Sequence, residues 1–460
     1  GPGFGSNFSP GFFFFFFFFA MFSALASRTA LVLPGRLATR QLASSLLSGS
    51  RPHFRLFSKH APETTSSWQR TLRPLCAQVR GIGSRSLSTL VRQSGTNLQT
   101  LSKSASSATA ALRQPGQKAV GWWLLGNAAL VFGTVVVGGI TRLTESGLSM
   151  VEWRPLMGIL PPNSEEEWNR VFSKYKEHPE YSKLFPDMDL DHFKRIFFWE
   201  YTHRMLGRAI GLAFTVPMAF FWARGYLRGA DRLKCLALAA GIGGQGLLGW
   251  YMVRSGLEDK NEEHWIPRVS QYRLAAHLGS AFALYTGMLY MGLTRVLPPI
   301  VKAIPKRGAL LGGSHALATL TFLTAVSGAF VAGLDAGLVY NSFPLMGETF
   351  VPEDYITKEP LWKNMLENDA AVQFNHRCLG ITTASVVAAY WMLSRRLPLP
   401  GRVRAAINML GAVAATQVAL GISTLLMLVP VPLAAAHQAG SLSLLSVALW
   451  LSSELRRLPK

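Results

Sequence analysis

Four histidines carry the chemistry open to this sequence: His203, His277, His376 and His437 each stand in or beside a long apolar run. An ionisable group at membrane depth is costly and marks a functional position. The four lie near the starts of the second, fourth, sixth and eighth apolar runs. Helices running in one direction then bring all four imidazoles to one depth. A neutral imidazole is a good metal ligand, and two of them from facing helices are what a haem iron takes on its two axial sides. A single histidine at a helix end is usually an interfacial hydrogen-bonder, but four in register read as two ligand pairs.

Neighbouring residues fit that chemistry. Gly207 and Gly380 follow His203 and His376 by four positions, leaving a side-chain-free surface one helical turn on, where a flat macrocycle could approach the backbone. Arg204, Arg208 and Arg377 are candidate partners for haem propionates, although snorkelling to the membrane interface explains each of them equally well. His315, in the fifth run, has no counterpart and reads as a core or tuning residue.

The histidines also belong to a repeat. Glu200-Tyr-Thr-His203-Arg-Met-Leu-Gly207 aligns with Gln373-Phe-Asn-His376-Arg-Cys-Leu-Gly380, and Gln245-Gly-Leu-Leu-Gly249 aligns with Gln417-Val-Ala-Leu-Gly421. Ala275-Ala-His277 matches Ala435-Ala-His437 loosely. Residues Gly138 to Leu148 echo Gly328 to Leu338, pairing Glu145 with Asp335. Four motifs in one order indicate duplication. The repeat breaks at Glu200, whose counterpart is Gln373. Residues three apart share a helix face, so a carboxylate sits beside the first histidine and an amide beside the second. A carboxylate in a low-dielectric pocket can move protons and an amide cannot. This places chemistry in the first half and electron supply in the second. The alternative role for Glu200 is an ion pair with Arg204, four residues on.

The elements that must position these residues are membrane helices. Of the 460 residues, 49% are hydrophobic and only 15% are charged. Uncharged or nearly uncharged runs occur at Trp122–Thr141, Cys235–Val253, Leu274–Thr294 and Gly308–Leu334, each long enough for the roughly 17–25 residues a span requires. Ala209–Ala223 and Cys378–Ser394 reach that length by extending back through their ionisable residues. The uncharged stretch Ala405–Ser453 is cut in two by Pro430-Val431-Pro432. The expected fold is therefore an all-α integral membrane protein with eight transmembrane helices in two pseudo-symmetric four-helix bundles, 119–300 and 301–460. Links 224–234, 295–307, 395–404 and the C-terminal tail are basic, whereas 142–198, 254–273 and 335–371 are neutral or acidic. The positive-inside bias then puts both termini on the same, inner side. The 142–198 link carries a helix start at Glu165-Glu-Glu-Trp168 and reads as a cap on the bundle.

The net charge of +21 is concentrated at the start of the chain, where residues 1–120 hold 14 Lys+Arg and one acid, Glu63. Clusters of positive charge between apolar runs argue for a lipid partner and against nucleic acid. Residues 1–20, with eight consecutive phenylalanines, read as an artefact upstream of Met21. Residues 21–118 have the Ser-, Arg- and Leu-rich, acid-poor composition of an organellar transit segment, with a processing region near Arg80–Leu90. Three cysteines, Cys76, Cys235 and Cys378, exclude a disulfide framework.

From Gly121 to Lys460, these motifs, together with Gly139-Ile-Thr-Arg142-Leu-Thr-Glu145-Ser-Gly-Leu-Ser-Met150 and Gly333-Leu-Asp335-Ala-Gly-Leu-Val-Tyr-Asn341-Ser-Phe-Pro, resemble the mitochondrial haem A synthase family. The resemblance implies an enzyme of the mitochondrial inner membrane, with both termini in the matrix. It would oxidise a methyl group of haem O to the formyl group of haem A, through a hydroxymethyl stage, for cytochrome c oxidase. It implies that His203 and His277 hold the substrate haem, that Glu200 assists the reaction, and that His376 and His437 ligate a resident haem b. The implied partners are inner-membrane lipid, haem O synthase, cytochrome c oxidase assembly factors and a reductant such as ferredoxin; a homo-oligomer is possible, and one sequence does not decide it. The cysteine pair of some bacterial members is missing, because 142–198 holds no Cys. An iron with two axial histidines has no open position, so either one imidazole leaves or water attacks an oxidised macrocycle. Two other classes remain in play, a transmembrane diheme electron carrier and a non-catalytic haem chaperone. Electron carriage across the membrane favours haems at different depths, which counts against the first.

Overall fold

The computed structural model describes residues 116–153, 160–258, 266–300 and 302–458. The proposed processing region, and all of the proposed transit segment but its last three residues, 116–118, lie outside the described residues. Among the described residues eight long helices follow one another: α1 (Gln117–Leu143), α2 (Leu190–Ala223), α3 (Ala230–Leu257), α4 (Gln271–Val296), α5 (Arg307–Leu334), α6 (Asp369–Ser394), α7 (Gly401–Leu426) and α8 (Val431–Arg456). Among the described residues there are no strands beyond an isolated bridge between Met346 and Thr349. Six of the eight, all except α4 and α6, are long and apolar enough to cross a membrane. The two exceptions carry His277 and His376 close to further polar residues, which lowers their apolarity without shortening them.

Helix boundaries follow local chemistry. Asp189 caps α2 by accepting from His192 N (2.7 Å), so this helix begins well before His203, which lies further from the helix start than the sequence implied. Asn368 caps α6 by accepting from Ala371 N (3.2 Å). Pro430 opens α8, and the reversal before it is made by Leu428 and Val429, both with positive φ (61° and 57°). A left-handed conformation is costly for a β-branched residue. The turn between α7 and α8 is closed by Val429 N donating to the Thr424 carbonyl (2.8 Å) and by Asn341 Nδ2 donating to the Leu425 carbonyl (2.9 Å).

In the first half α1 packs on α2 and α4, and α3 on α2 and α4; in the second, α5 packs on α6 and α8, and α7 on α6 and α8. Helices α1, α4, α5 and α8 also contact across the halves. Burial follows that order: 50% and 61% of the apolar windows of α1 and α8 are buried, against 6% and 11% in α3 and α7, so the former are central and the latter peripheral. Bonds that cross the halves include Tyr285 Oη with Ser446 Oγ (2.6 Å) and Gln438 Nε2 donating to Val135 O (3.2 Å). At one end Arg142 donates to Asp335 Oδ1 (2.7 Å). At the α8 C-terminus, the fully buried Glu454 takes Arg402 on both carboxylate oxygens (2.6 and 2.7 Å).

The link between α1 and α2 holds two short helices, Glu165–Lys176 and Pro179–Leu184. Ser164 accepts from Glu167 N (3.2 Å) and Glu167 accepts from Asn163 N (3.0 Å), a reciprocal cap that starts the first of them at the expected place. Its apolar face, Phe172 and Tyr175, packs with Met188, Phe193, Ile196 and Phe197 at the start of α2. The link is thus a cap on the first half, as its sequence suggested.

Candidate functional site

Each half brings two histidines together across its interior. His203 on α2 and His277 on α4 have ring centres 6.5 Å apart at an interplanar angle of 76°. His376 on α6 and His437 on α8 have centres 6.4 Å apart at 88°. Two metal–imidazole bonds of about 2.0–2.1 Å in line, with the half-ring on either side, span about 6 Å. Both separations therefore fit one iron between each pair. Among the described residues no group of three or more His, Cys, Asp or Glu side chains could hold a metal ion. A pair of imidazoles is an incomplete set for a bare ion. It is a complete axial set when a macrocycle supplies the equatorial nitrogens. The buried, unpartnered Nδ1 atoms of His203, His277 and His437 show that these side chains are not there to satisfy internal hydrogen bonds. The residues fit a haem in each half.

Glycines on the preceding helices make room for all four rings. A Cβ at Gly138 on α1 would lie 2.7 Å from His203 Cε1, and one at Gly249 on α3 would lie 3.2 Å from His277 Cε1. In the second half a Cβ at Gly328 on α5 would lie 3.1 Å from His376 Cε1, and one at Gly421 on α7 would lie 2.8 Å from His437 Cε1. The repeated Gln-x-x-x-Gly motif gains a meaning here. Gln245 Nε2 donates to the His277 carbonyl (3.2 Å) and Gln417 Nε2 to the His437 carbonyl (2.7 Å), so the glutamine braces the histidine's backbone and the glycine seats its ring. Sequence reasoning found the motif but not this role, because only packing shows what faces the glycine. An added Cβ at Gly207 or Gly380 would meet nothing within 4 Å, leaving the open surface expected there.

Glu200 and Gln373, both 3% exposed, occupy equivalent sockets with opposite polarity. Glu200 Oε2 accepts from Ser149 Oγ (2.8 Å) and Met150 N (2.7 Å), and its Oε1 pairs with Arg204. Gln373 Nε2 instead donates to the carbonyls of Ala336 (2.8 Å) and Tyr340 (3.1 Å). The arginines match as well: Arg204 Nη2 donates to Met150 O (2.7 Å), and Arg377 Nη2 to Tyr340 O (2.8 Å). Arg204 thus pairs with Glu200 and pins the loop after α1, which is the alternative role foreseen for that carboxylate. Arg208 Nη1 contacts Met205 Sδ (3.7 Å). Both helix-end loops turn through a left-handed acid, Glu145 (φ 51°) and Asp335 (φ 56°), the pair the repeat had aligned.

Next to these sockets the halves diverge. A cavity of about 240 Å³ opens beside Arg204, lined by Met150, Glu152, Trp153, Trp250 and Arg254. Its counterpart beside Arg377, lined by Phe343, Pro344, Met346, Phe350 and Phe374, has about 20 Å³. The cap adds a buried acid, Glu180, whose Oε2 accepts from Tyr175 Oη (2.9 Å). Burial pushes the Glu180 carboxyl up from 4.5 to about 8, and burial likewise raises the Tyr175 hydroxyl. Sequence reasoning did not single out Glu180, since nothing in a run of mixed charges tells which one the cap encloses. His315 is exposed on α5 and is not the core residue the sequence suggested, because its neighbours Leu310, Ser314 and Leu317 form the buried face and Ser314 is the one that meets α8, at Ser452 (3.0 Å). Cys235 and Cys378 are free thiols.

Residues 121–449 match the family of cytochrome oxidase assembly proteins. The chain is 54% identical over 347 residues to "Heme A synthase COX15" of Homo sapiens, covering 75% of this chain and 84% of that protein. It is 47% identical over 347 residues to "Heme A synthase" of Nitrosospira multiformis, covering 74% and 94% of the two chains. It is 42% identical over 369 residues to a "Heme A synthase-mitochondrial ferredoxin fusion protein" of Schizosaccharomyces pombe, covering 74% of this chain and 60% of the fusion.

Proposed function

The chain belongs to the cytochrome oxidase assembly protein family, and we infer that it is a haem A synthase, oxidising a methyl group of haem O to a formyl group by way of a hydroxymethyl stage. The observation that carries this reading, beside the family, is the pair of imidazoles in each half at the separation of a sandwiched iron. His203 and His277 hold the substrate haem, in the half with the larger cavity and the buried carboxylate. Glu200 takes up and returns protons as the methyl group is oxidised, while Ser149, Met150 N and Arg204 fix its orientation. His376 and His437 hold haem b, which when bound relays electrons. Gln373, an amide, keeps the same loop geometry there without a proton to move. Arg204 and Arg377 hold the loops against the haem edges, and Arg208 is a third candidate propionate contact.

We place the protein in the mitochondrial inner membrane with eight spans, including α4 and α6, as two duplicated bundles of residues 119–300 and 301–460. The matching helix pairs and sockets of the halves support the duplication. The alternating charge of the links supports both termini in the matrix, reached through a transit segment within 21–118. The name of the fission yeast fusion supports a ferredoxin as reductant. The test is chromatography of the pigment extracted after expression with a haem O source. Haem A or its hydroxymethyl precursor is the expected product; haem b alone would overturn the assignment in favour of a carrier or chaperone.

A further inference from the structure

Of the four facing histidines, His376 is the one with a side-chain partner: its Nδ1 lies 2.7 Å from Ser327 Oγ on α5. The direction of that bond follows from counting protons. Ser327 has one hydroxyl hydrogen, and its Oγ donates to the Thr324 carbonyl at 2.7 Å, an atom that can only accept. One arrangement closes both bonds at once: Oγ donates to that carbonyl and accepts from His376, whose Nδ1 then carries the proton. That leaves the Nε2 lone pair free, which is the tautomer a metal ligand needs. In the repeat, Gly328 aligns with Gly138, so Ser327 aligns with Val137, which has no hydroxyl. The Thr134 and Thr324 backbones face the His203 and His376 rings alike, and what the first half lacks is the side-chain partner: none is aimed at His203 Nδ1.

Resting on the reading that His376 ligates a resident haem b, we propose that Ser327 is a positioning residue that locks His376 as a permanent axial ligand, and that Val137 leaves His203 unlocked. An imidazole whose Nδ1–H is held by an acceptor is more basic at Nε2 and cannot rotate away without breaking that bond. Such a ligand keeps its haem and favours ferric iron. His203, lacking the restraint, is the ligand able to leave or to swing as substrate enters and product departs. The asymmetry addresses the need for an exchangeable haem in one half and a retained one in the other.

The test uses the full chain carrying haem b, comparing wild type with Ser327→Ala, Ser327→Val and Ser327→Thr. Two readouts are taken: the rate of haem b transfer to apomyoglobin, and the midpoint potential. The alanine and valine variants are expected to lose haem b about 10–100-fold faster, the range for a lost outer-shell partner. Their potential should rise, by about 59 mV for each tenfold loss of preference for ferric iron. Threonine, which keeps the hydroxyl, restores both. Unchanged rate and potential in both hydroxyl-free variants would overturn the proposal. A His376→Ala protein that keeps an unaltered low-spin haem b would instead sink the ligand assignment, and the proposal with it. Loss of that signature in His376→Ala leaves the serine variants to decide the proposal alone.

Discussion

The sockets of Glu200 and Gln373 share a buried site at the same point of two equivalent helices, an arginine four residues on, and a loop whose backbone they hold. They differ in which way the hydrogen bonds run. The loop after α1 offers a hydroxyl and an N–H to a carboxylate; the loop after α5 offers two carbonyls to an amide. Each loop is thus fitted to the side chain it meets. The comparison teaches that two sockets of one layout can differ in a few groups: a carboxylate in place of an amide, a valine in place of a serine, a cavity of about 240 Å³ in place of one of about 20 Å³.

The widest gap between the halves is expected from Glu200→Gln. Haem A output should fall by about 10²–10⁴, the usual contribution of a proton-transferring group, while haem b stays bound; full output measured by pigment chromatography would erase the difference between the sockets. The reverse exchange, Gln373→Glu, sets a carboxylate against the carbonyls of Ala336 and Tyr340. Arg377 Nη2 already donates to Gln373 Oε1 (3.2 Å) and would pair with the new charge, so the cost is that of two carbonyls losing their donor, about 1–3 kcal/mol, and this variant should melt below wild type.

A smaller effect tests what the halves share. Alanine at Gly138 or Gly421 introduces a carbon 2.7 or 2.8 Å from a histidine ring. Overpacking of that kind costs about 1–3 kcal/mol and should weaken the low-spin haem spectrum of the corresponding half. Gly207→Ala and Gly380→Ala meet nothing in the protein itself. Haem loss in those variants, with an unchanged helical spectrum, would locate the macrocycle against that surface.

The cap offers a test confined to the first half. Glu180 is neutral in the folded protein up to about pH 8, whereas the unfolded group ionises near 4.5. The folded state therefore binds the extra proton between those values, and stability falls as pH rises through that window. Glu180→Gln should flatten the pH dependence of melting; an unchanged slope would show that the pair with Tyr175 does not control it. The least effect is expected from Asp335→Asn, which removes the negative charge that faces Arg142 and Arg268 and leaves an oxygen able to accept. The aspartate side chain is 47% exposed, so a loss below about 1 kcal/mol is expected in a melting experiment.

Much of this arrangement could be read in the chain. The positions of the long helices came from uncharged length, the α7–α8 break from two prolines, and the histidine pairs from a repeat offset. Helix ends were less accessible. The early start of α2 depends on Asp189 and on the cap that buries Phe193 and Phe197, neither of which an apolar run reports. His315 misled because a histidine in an apolar run looks alike whether its helix face is inward or outward.

Sequence alone determined which residue types recur and in what order, since composition and spacing are properties of the chain: the long apolar runs, four histidines, and one carboxylate where its counterpart is an amide. Only the tertiary structure decided which groups those residues meet. That Gly138 seats His203, that Ser327 Oγ meets His376 Nδ1, and that Glu180 is enclosed depend on distances between segments far apart in the chain. Such distances are set by the packing of whole helices, and no local stretch of residues encodes them.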